Sequence, residues 1–188
     1  METLHEQGII HRDLKPKNIM INYSKGSEVT LIDFGLSGRY QNQHGTHIPY
    51  KNTKTLLGTP MYASNNALLG RELSRRDDIE SMLYIMIFCL LGNLPWSGML
   101  TLDFLQSENA KKRILQMRDP NNFLLREIPL ELRSLLDYAQ TMAFDAQPDY
   151  ERIETILCLV KERNNLGDSL DIPMPPTTTN SASNKEEE

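Results

Sequence analysis

Cysteine is scarce in this chain, which excludes a disulfide scaffold. The 188 residues contain 2 cysteines, Cys89 and Cys158. Both lie inside apolar runs, which predicts buried free thiols rather than a disulfide or a metal site. Unpaired thiols are typical of a reducing compartment, so we expect the protein in the cytoplasm, the nucleus or both.

Long apolar runs and an excess of basic charge are also missing. The longest apolar run is Met82 to Leu91, too short to span a bilayer, and Gly92 ends it. The first seven residues, METLHEQ, lack the character of a signal peptide. The net charge is −5 and the pI is near 5.4, which argues against a nucleic-acid-binding surface. We therefore expect no membrane and no nucleic acid among the partners, and the oligomeric state stays open.

Two short motifs stand out against this background. Residues 9–18 read IIHRDLKPKN, which has the form H-R-D-L-x-x-x-N, and residues 31–35 read LIDFG. Either motif alone is weak. In this order and at this spacing, each with apolar residues before it, they resemble the catalytic and metal-binding loops of protein kinases.

The residues of these motifs suit phosphoryl transfer, which depends on positioning and on neutralising negative charge. Asp13 is the candidate base for a substrate hydroxyl, and Lys15 would place a positive charge beside the transferred phosphate. Asn18 and Asp33 offer the hard oxygen ligands that Mg²⁺ prefers, so Lys15, Asn18 and Asp33 are the candidate contacts to Mg-ATP. The alternative for any one of them is an ordinary polar turn.

The pattern of the remaining chain predicts an α+β fold that is mainly helical. Residues 1–7 read as the end of a helix stopped by Gly8. Two alternating segments, 18–22 and 29–32, predict a small β-hairpin whose far end presents Asp33, with a turn at 23–28. Four further helices are predicted at 77–91 with Ser74 as cap, 102–117, 130–144 and 150–163.

A family resemblance appears beyond the DFG stretch. The quoted segments are HIPY at 47–50, LGTPMYAS at 57–64, SRRDDIES at 74–81, LPW at 94–96, FD at 144–145 and PDY at 148–150. With them the chain resembles the casein kinase I family of serine/threonine protein kinases, which carries a Tyr-Ala-Ser stretch in place of the usual Ala-Pro-Glu motif. Lys15 after Asp13 also resembles the serine/threonine class.

The resemblance implies supporting roles for three more residues. Thr59 would bridge the catalytic Asp and Lys by hydrogen bonds, with a simple turn threonine as the alternative. Asp78 would bond the backbone of the HRD loop, with a helix-start acid as the alternative. Arg12 is placed with them as a residue that supports the site.

The implied organisation is a protein-kinase-like C-terminal lobe over residues 1–166, in which a small β-hairpin carries the catalytic and DFG loops. It contains a catalytic loop at 9–18 and an activation segment at 33–64, and a polar tail expected to be disordered follows at 167–188. No G-x-G-x-x-G stretch occurs in the sequence. We therefore expect a lobe without its N-terminal partner, one that binds ATP poorly and turns over little by itself.

These expectations lead to a functional prediction with one rival. The prediction is a non-specific serine/threonine protein kinase of casein kinase I type, which transfers the ATP γ-phosphate to Ser or Thr of protein substrates. The rival is a non-catalytic kinase remnant that acts as a binding or regulatory module. Met61 stands where the family usually has Arg, and residues 99–106 lack the family's lysines, so preference for primed or acidic substrates stays open.

Overall fold

The structure is a computed structural model that describes residues 1–22, 28–101 and 106–165. It confirms mixed α and β content with small antiparallel sheets. The six described α-helices are α1 (Glu2–Glu6), α2 (Asn65–Leu68), α3 (Arg75–Leu91), α4 (Glu108–Met117), α5 (Leu130–Thr141) and α6 (Tyr150–Arg163). Short 3-10 turns lie at Pro16–Asn18, Phe34–Leu36, Ser97–Met99 and Phe123–Leu125.

Two small antiparallel sheets flank the first loop. The strands β2 (Ile19–Asn22) and β3 (Glu28–Leu31) form the predicted hairpin, with Ile19 opposite Leu31. The strands β1 (Ile9–Ile10) and β4 (Gly38–Arg39) form a second pair, with Ile9 opposite Arg39. This second pair ties the segment after the DFG stretch to the segment before the HRD stretch.

Helix α3 forms the centre of the molecule. Its residues Leu83, Tyr84 and Ile87 are completely buried, and α5 packs along it. Leu14, which lies between Asp13 and Lys15 in the HRD stretch, is also buried in this core. Its burial anchors the loop. Trp96, the only tryptophan, is fully buried and packs edge-on against Tyr84.

Several helix boundaries differ from the prediction. Helix α3 begins at Arg75, where the Asp77 carboxylate accepts a hydrogen bond from the backbone N–H of Ser74 at 2.7 Å, one half of a capping box. Helix α4 begins at Glu108 because Ser107 has extended backbone angles and its hydroxyl accepts from the N–H of Ala110. Helix α5 ends at Thr141, since Met142 leaves the helical region.

The prediction of buried cysteines is wrong. Cys89 and Cys158 are free and exposed. Cys89 lies in the last turn of α3, where the helix reaches the surface and Leu90 is 48 % exposed. The earlier turns of this helix are buried or half-buried, and the run of apolar residues in the sequence did not reveal that its last turn is exposed.

Some predictions fall outside the described residues. These are most of the turn at 23–28, part of the stretch at 99–106, the start of the helix expected from 102, and the tail at 167–188. Within the described ranges, no helix combines the length and the hydropathy needed to cross a membrane.

Candidate active site

Asp13 is the centre of a compact polar cluster. Its Oδ2 accepts a hydrogen bond from Lys15 Nζ at 2.5 Å, and its Oδ1 accepts from the hydroxyl and the backbone N–H of Thr59 at 2.7 and 2.8 Å. Lys15 Nζ also lies 3.4 Å from the Thr59 hydroxyl. Residues 46 positions apart therefore close a ring around one carboxylate, as expected of a threonine that bridges Asp13 and Lys15.

The environment of Asp13 keeps its carboxyl group ionised. Burial alone would raise the pKa, but the hydrogen bonds from Lys15 and Thr59 and the charge of Lys15 outweigh it and hold the pKa of Asp13 below its ordinary value. An ionised carboxylate beside a lysine can accept a hydrogen bond from a hydroxyl group placed next to it.

The loop that carries Asp13 is fixed through its backbone by Asp78 at the start of α3. Oδ2 of Asp78 accepts from the N–H of His11 at 2.7 Å, and Oδ1 accepts from the N–H of Arg12 at 2.9 Å. Arg12 has a positive φ of 67°, a conformation that costs a non-glycine residue free energy and persists only where the surroundings hold it in place. The two hydrogen bonds to Asp78 help to hold Arg12 in this conformation, and they are the contacts that the family resemblance implied for Asp78.

Two further residues extend this anchor, and the motif analysis missed both. His5 Nε2 lies 3.0 Å from Oδ2 of Asp78, and His5 Nδ1 lies 2.7 Å from the hydroxyl of Tyr150 on α6. His5 and Asp78 are almost completely buried. The anchor therefore joins α1, α3 and α6, elements too far apart in sequence for any spacing rule to connect.

Asn18 and Asp33 lie at the same end of the β2–β3 hairpin. Asn18 is buried and donates its side-chain amide to the carbonyl of Asp13 at 3.0 Å, while its own carbonyl accepts from the N–H of Ile32 at 3.0 Å. Asp33 follows Ile32 directly, is exposed, and has a positive φ of 62°. One of its oxygens accepts from the N–H of Gly35.

These donors suit a hard cation. An exposed carboxylate and an amide side chain at one end of a hairpin provide the oxygen chemistry that Mg²⁺ prefers with one or two carboxylates and water. Among the described residues, no group of three His, Cys, Asp or Glu side chains could hold a metal by itself. Asn18 and Asp33 therefore fit a hard cation such as Mg²⁺ in the chemistry of their oxygen atoms.

The guanidinium of Arg12 binds the backbone that follows the DFG stretch. Its Nε donates to the carbonyl of Leu36 at 2.6 Å, and its terminal nitrogen donates to that of Ser37 at 2.8 Å. A Cβ on Gly38 would lie 2.6 Å from the guanidinium carbon, so only glycine leaves room for this contact. Arg12 thereby supports the site through the chain next to Asp33.

Comparison with protein-family models agrees with this geometry. The model described as the protein kinase domain matches residues 1–147, which is most of the chain. The chain belongs to the protein kinase family. Enzymes of this family generally use ATP and Mg²⁺ and act on protein substrates, so membership supports the assignment as a protein kinase and a transferase.

In the kinase domain, the buried Arg118 supports the segment that follows Thr59. Arg118, which follows α4, is completely buried and donates to the carbonyls of Pro60 at 3.0 Å and Ala63 at 2.9 Å. Its guanidinium carbon lies 4.8 Å from the ring centroids of both Tyr84 and Trp96. No pattern of residues indicated this burial, since an arginine at a helix end is usually exposed.

The buried carboxylate of Glu80 interacts electrostatically with Arg118. Oε1 of Glu80 accepts from the hydroxyl of Tyr84 at 2.6 Å and from the N–H of Asn65 at 3.0 Å. Burial raises the pKa of Glu80 to about 7, helped by the charge of Asp77 and opposed by the Tyr84 and Asn65 hydrogen bonds and by Arg118. Burial likewise raises the pKa of Asp77 above its ordinary value.

Proposed function

We propose that this kinase domain is a serine/threonine protein kinase of casein kinase I type, which transfers the γ-phosphate of Mg-ATP to Ser or Thr of protein substrates. The observation that carries the proposal is the closed ring of Asp13, Lys15 and Thr59. It combines an ionised acceptor, a cation and a hydroxyl that orients both.

Asp13 is the proposed base. Its carboxylate would accept the hydrogen bond of the substrate hydroxyl and take the proton as the phosphate bond forms. Lys15 would stabilise the negative charge on the transferred phosphoryl group. Thr59 would keep the Asp13 carboxylate from rotating, since it contacts Oδ1 through two donors.

Asn18 and Asp33 are the proposed magnesium ligands. When bound, the ion would neutralise charge on the phosphates of ATP. Asn18 is already oriented, because its amide nitrogen is committed to the carbonyl of Asp13 and this leaves the amide oxygen for another partner. Asp33 is held at the hairpin end through the neighbouring Ile32.

The casein kinase I assignment is supported by contacts between two segments that carry the resemblance. The Ser64 hydroxyl of the Tyr-Ala-Ser stretch donates to Oδ1 of Asp77 at 2.7 Å, and Asn66 donates to the same oxygen at 3.0 Å. Asp77 belongs to the SRRDDIES stretch. Both segments therefore form one structural unit, in which Asp77 supports α2 and the chain that leads from Thr59.

The test is phosphate transfer from ATP to casein, followed by phosphoamino-acid analysis. Because the sequence contains no glycine-rich phosphate loop of the G-x-G-x-x-G form, the 188-residue chain is assayed alone and fused behind the N-terminal lobe of a casein kinase I. We expect phosphoserine or phosphothreonine in the fused form, and Asp13→Asn should lower kcat by at least a hundredfold.

The matched control is Asp137→Asn, the same substitution at an exposed position of α5. It should leave kcat unchanged. Transfer to casein that survives Asp13→Asn would refute the assigned base. Absence of both transfer and Mg-ATP binding in the fused form would refute the kinase proposal and favour a non-catalytic binding module.

A further inference from the structure

The buried Glu80 belongs to a chain of hydrogen bonds that runs from α3 to the start of α2. Oε1 of Glu80 accepts from the hydroxyl of Tyr84 at 2.6 Å, and the same hydroxyl lies 3.3 Å from Oδ1 of Asn65. Gln140 on α5 donates its side-chain amide to the oxygen of Tyr84 at 3.1 Å. The Tyr84 hydroxyl therefore lies between two acceptors and has only one proton to donate to them.

Both directions of that hydroxyl proton leave the polar groups satisfied. While Glu80 is ionised, the hydroxyl of Tyr84 donates to it and accepts from Gln140. When Glu80 is protonated, its own O–H can donate to the remaining lone pair of Tyr84, whose hydroxyl then turns to Oδ1 of Asn65. This exchange needs little movement of heavy atoms, because both acceptors already lie within 3.3 Å of the hydroxyl oxygen.

The charges around Glu80 allow both states near neutral pH. Burial is the largest effect and raises the pKa of Glu80 to about 7; Asp77 on α3 adds to this rise, and Arg118 after α4 opposes it. The elements α2 and α5 face the hydrogen-bond chain with neutral amide side chains. Burial also raises the pKa of Tyr84, so its hydroxyl keeps its proton while Glu80 titrates.

The far end of this hydrogen-bond chain holds the segment 59–65, which leads from the active site. The backbone N–H of Asn65 donates to Oε1 of Glu80 at 3.0 Å. Within the segment, the N–H of Ala63 donates to the carbonyl of Thr59 at 2.9 Å. Thr59 in turn holds the Asp13 carboxylate through its hydroxyl and its N–H. Few contacts therefore separate Glu80 from the active site.

Protonation of Glu80 weakens the hold on the segment 59–65. The N–H of Asn65 then donates to a neutral carboxyl group, and a hydrogen bond to an ionised group is roughly twice as strong as a neutral one. Arg118, which donates to two carbonyls of the segment, also loses a neighbouring opposite charge. Both effects have the same sign, so the segment is held most firmly while Glu80 is ionised.

We propose that Glu80, Tyr84 and Asn65 form a proton-dependent switch. Uptake of one proton from solvent by Glu80 turns the Tyr84 hydroxyl toward Asn65 and loosens the segment 59–65. Glu80 acts through other residues and is therefore a positioning residue. Its effect on phosphate transfer rests on the proposed function, whereas the reversal of the hydrogen bond does not.

The first test is an NMR titration of the 188-residue chain between pH 5 and pH 8.5, which needs no enzymatic activity. It follows the carboxyl carbon of Glu80 and the side-chain amide of Asn65. We expect both signals to titrate with one common midpoint near pH 7. Tyr84→Phe removes the hydroxyl that links them, so Glu80 should still titrate while the response of the Asn65 amide falls severalfold. The unfolding midpoint of this variant is measured alongside.

The second test is the pH dependence of kcat of the fused form, expressed as the ratio of wild type to Glu80→Gln. The new amide donates where the protonated carboxyl would, so the variant keeps the low-pH arrangement at every pH. We expect a ratio of about five at pH 8 and a ratio near one at pH 6. Protonation of ATP and of other side chains cancels in this ratio. Glu154→Gln, the same change at an exposed site on α6, should match wild type at both pH values.

The outcomes separate the switch from the proposed activity. Different midpoints for the two NMR signals, or an Asn65 amide that does not titrate, would overturn the switch. A kcat ratio that is equal at pH 6 and pH 8 is the result of a merely structural loss, and it would overturn the link to the active site. Coupled titration in a chain whose fused form transfers no phosphate would uphold the switch and refute the kinase activity.

Discussion

Replacing Arg118 by Met should destabilise this kinase domain more than any other substitution of a basic residue described above. Methionine has a similar length and is apolar, so the change removes the charge and the donors while largely filling the space. It leaves the carbonyls of Pro60 and Ala63 without their partner. It also removes the cation whose field favours the ionised form of Glu80.

The magnitude follows from these contacts. Leaving a buried acceptor unsatisfied costs about 1–3 kcal/mol, and removing one partner of buried opposite charges costs about 3–5 kcal/mol, terms that overlap rather than add. We therefore expect a loss of about 4 kcal/mol in the free energy of unfolding at pH 8. For a domain of this size that corresponds to a fall in melting temperature of about 8 to 16 °C.

The assay is urea unfolding monitored by the fluorescence of Trp96, which lies against Arg118. Measurements at pH 8 and pH 5.5 separate the cost of the unsatisfied carbonyl groups from the cost of the missing charge beside Glu80. At pH 5.5 Glu80 is largely protonated, so the missing cation matters less and the loss should shrink. Arg113→Met makes the same change at an exposed site on α4 and should alter the free energy of unfolding by less than about 0.5 kcal/mol.

Two results would refute this reasoning. A loss below about 1 kcal/mol at pH 8 would mean that the hydrogen bonds to the two carbonyls are replaced by water or by rearrangement. An equal loss at both pH values would show that Arg118 and Glu80 are not electrostatically coupled.

Three further changes test other parts of the structure. Glu80→Gln should flatten the stability profile. Because folding raises the pKa of Glu80 from 4.5 to about 7, this group contributes about 3 kcal/mol of stability that is lost as the pH rises from 4.5 to 7. The variant should lack this contribution, as urea titrations at several pH values will show. Gly58→Ala should lower both stability and kcat, since φ is +87° and the new Cβ would lie 2.5 Å from the carbonyl oxygen of Arg12; the measurements are thermal unfolding and casein phosphorylation. Tyr150→Phe should cost about 1–2 kcal/mol in urea unfolding by removing the 2.7 Å contact to His5, and an unchanged midpoint would contradict it.

The sequence predicted the local parts of the site well. Asp13, Lys15 and Asn18 lie within six residues, and the hairpin that follows was placed to within one residue at each end of its strands. Alternating apolar residues and a turn signal are sufficient for such short-range structure. The contact of Thr59 with Asp13 was reached through the family resemblance, not through spacing.

The parts that could not be predicted depend on distant contacts. The pairing of β1 with β4 joins strands of two residues each, too short to show an alternating pattern. The burial of Arg118 depends on rings from α3 and from the turn at Trp96, and the link from Tyr150 to Asp78 runs through His5. Each of these needs the packed arrangement of helices, which periodicity alone does not specify.

The anchoring of the catalytic loop by Asp78 has a consequence for how this protein is made. The carboxylate lies 67 and 66 residues after the two N–H groups that it binds. Because translation adds about 5–20 residues per second, the loop is synthesised roughly 3–13 s before Asp78 is added to the chain. Over that interval the positive φ of Arg12 lacks the two hydrogen bonds to Asp78, so the geometry of the loop is completed late, when α3 closes a long stretch of chain. For the fused form, we expect recovery of phosphate-transfer activity during refolding to coincide with the slowest global phase and not with formation of the early hairpin.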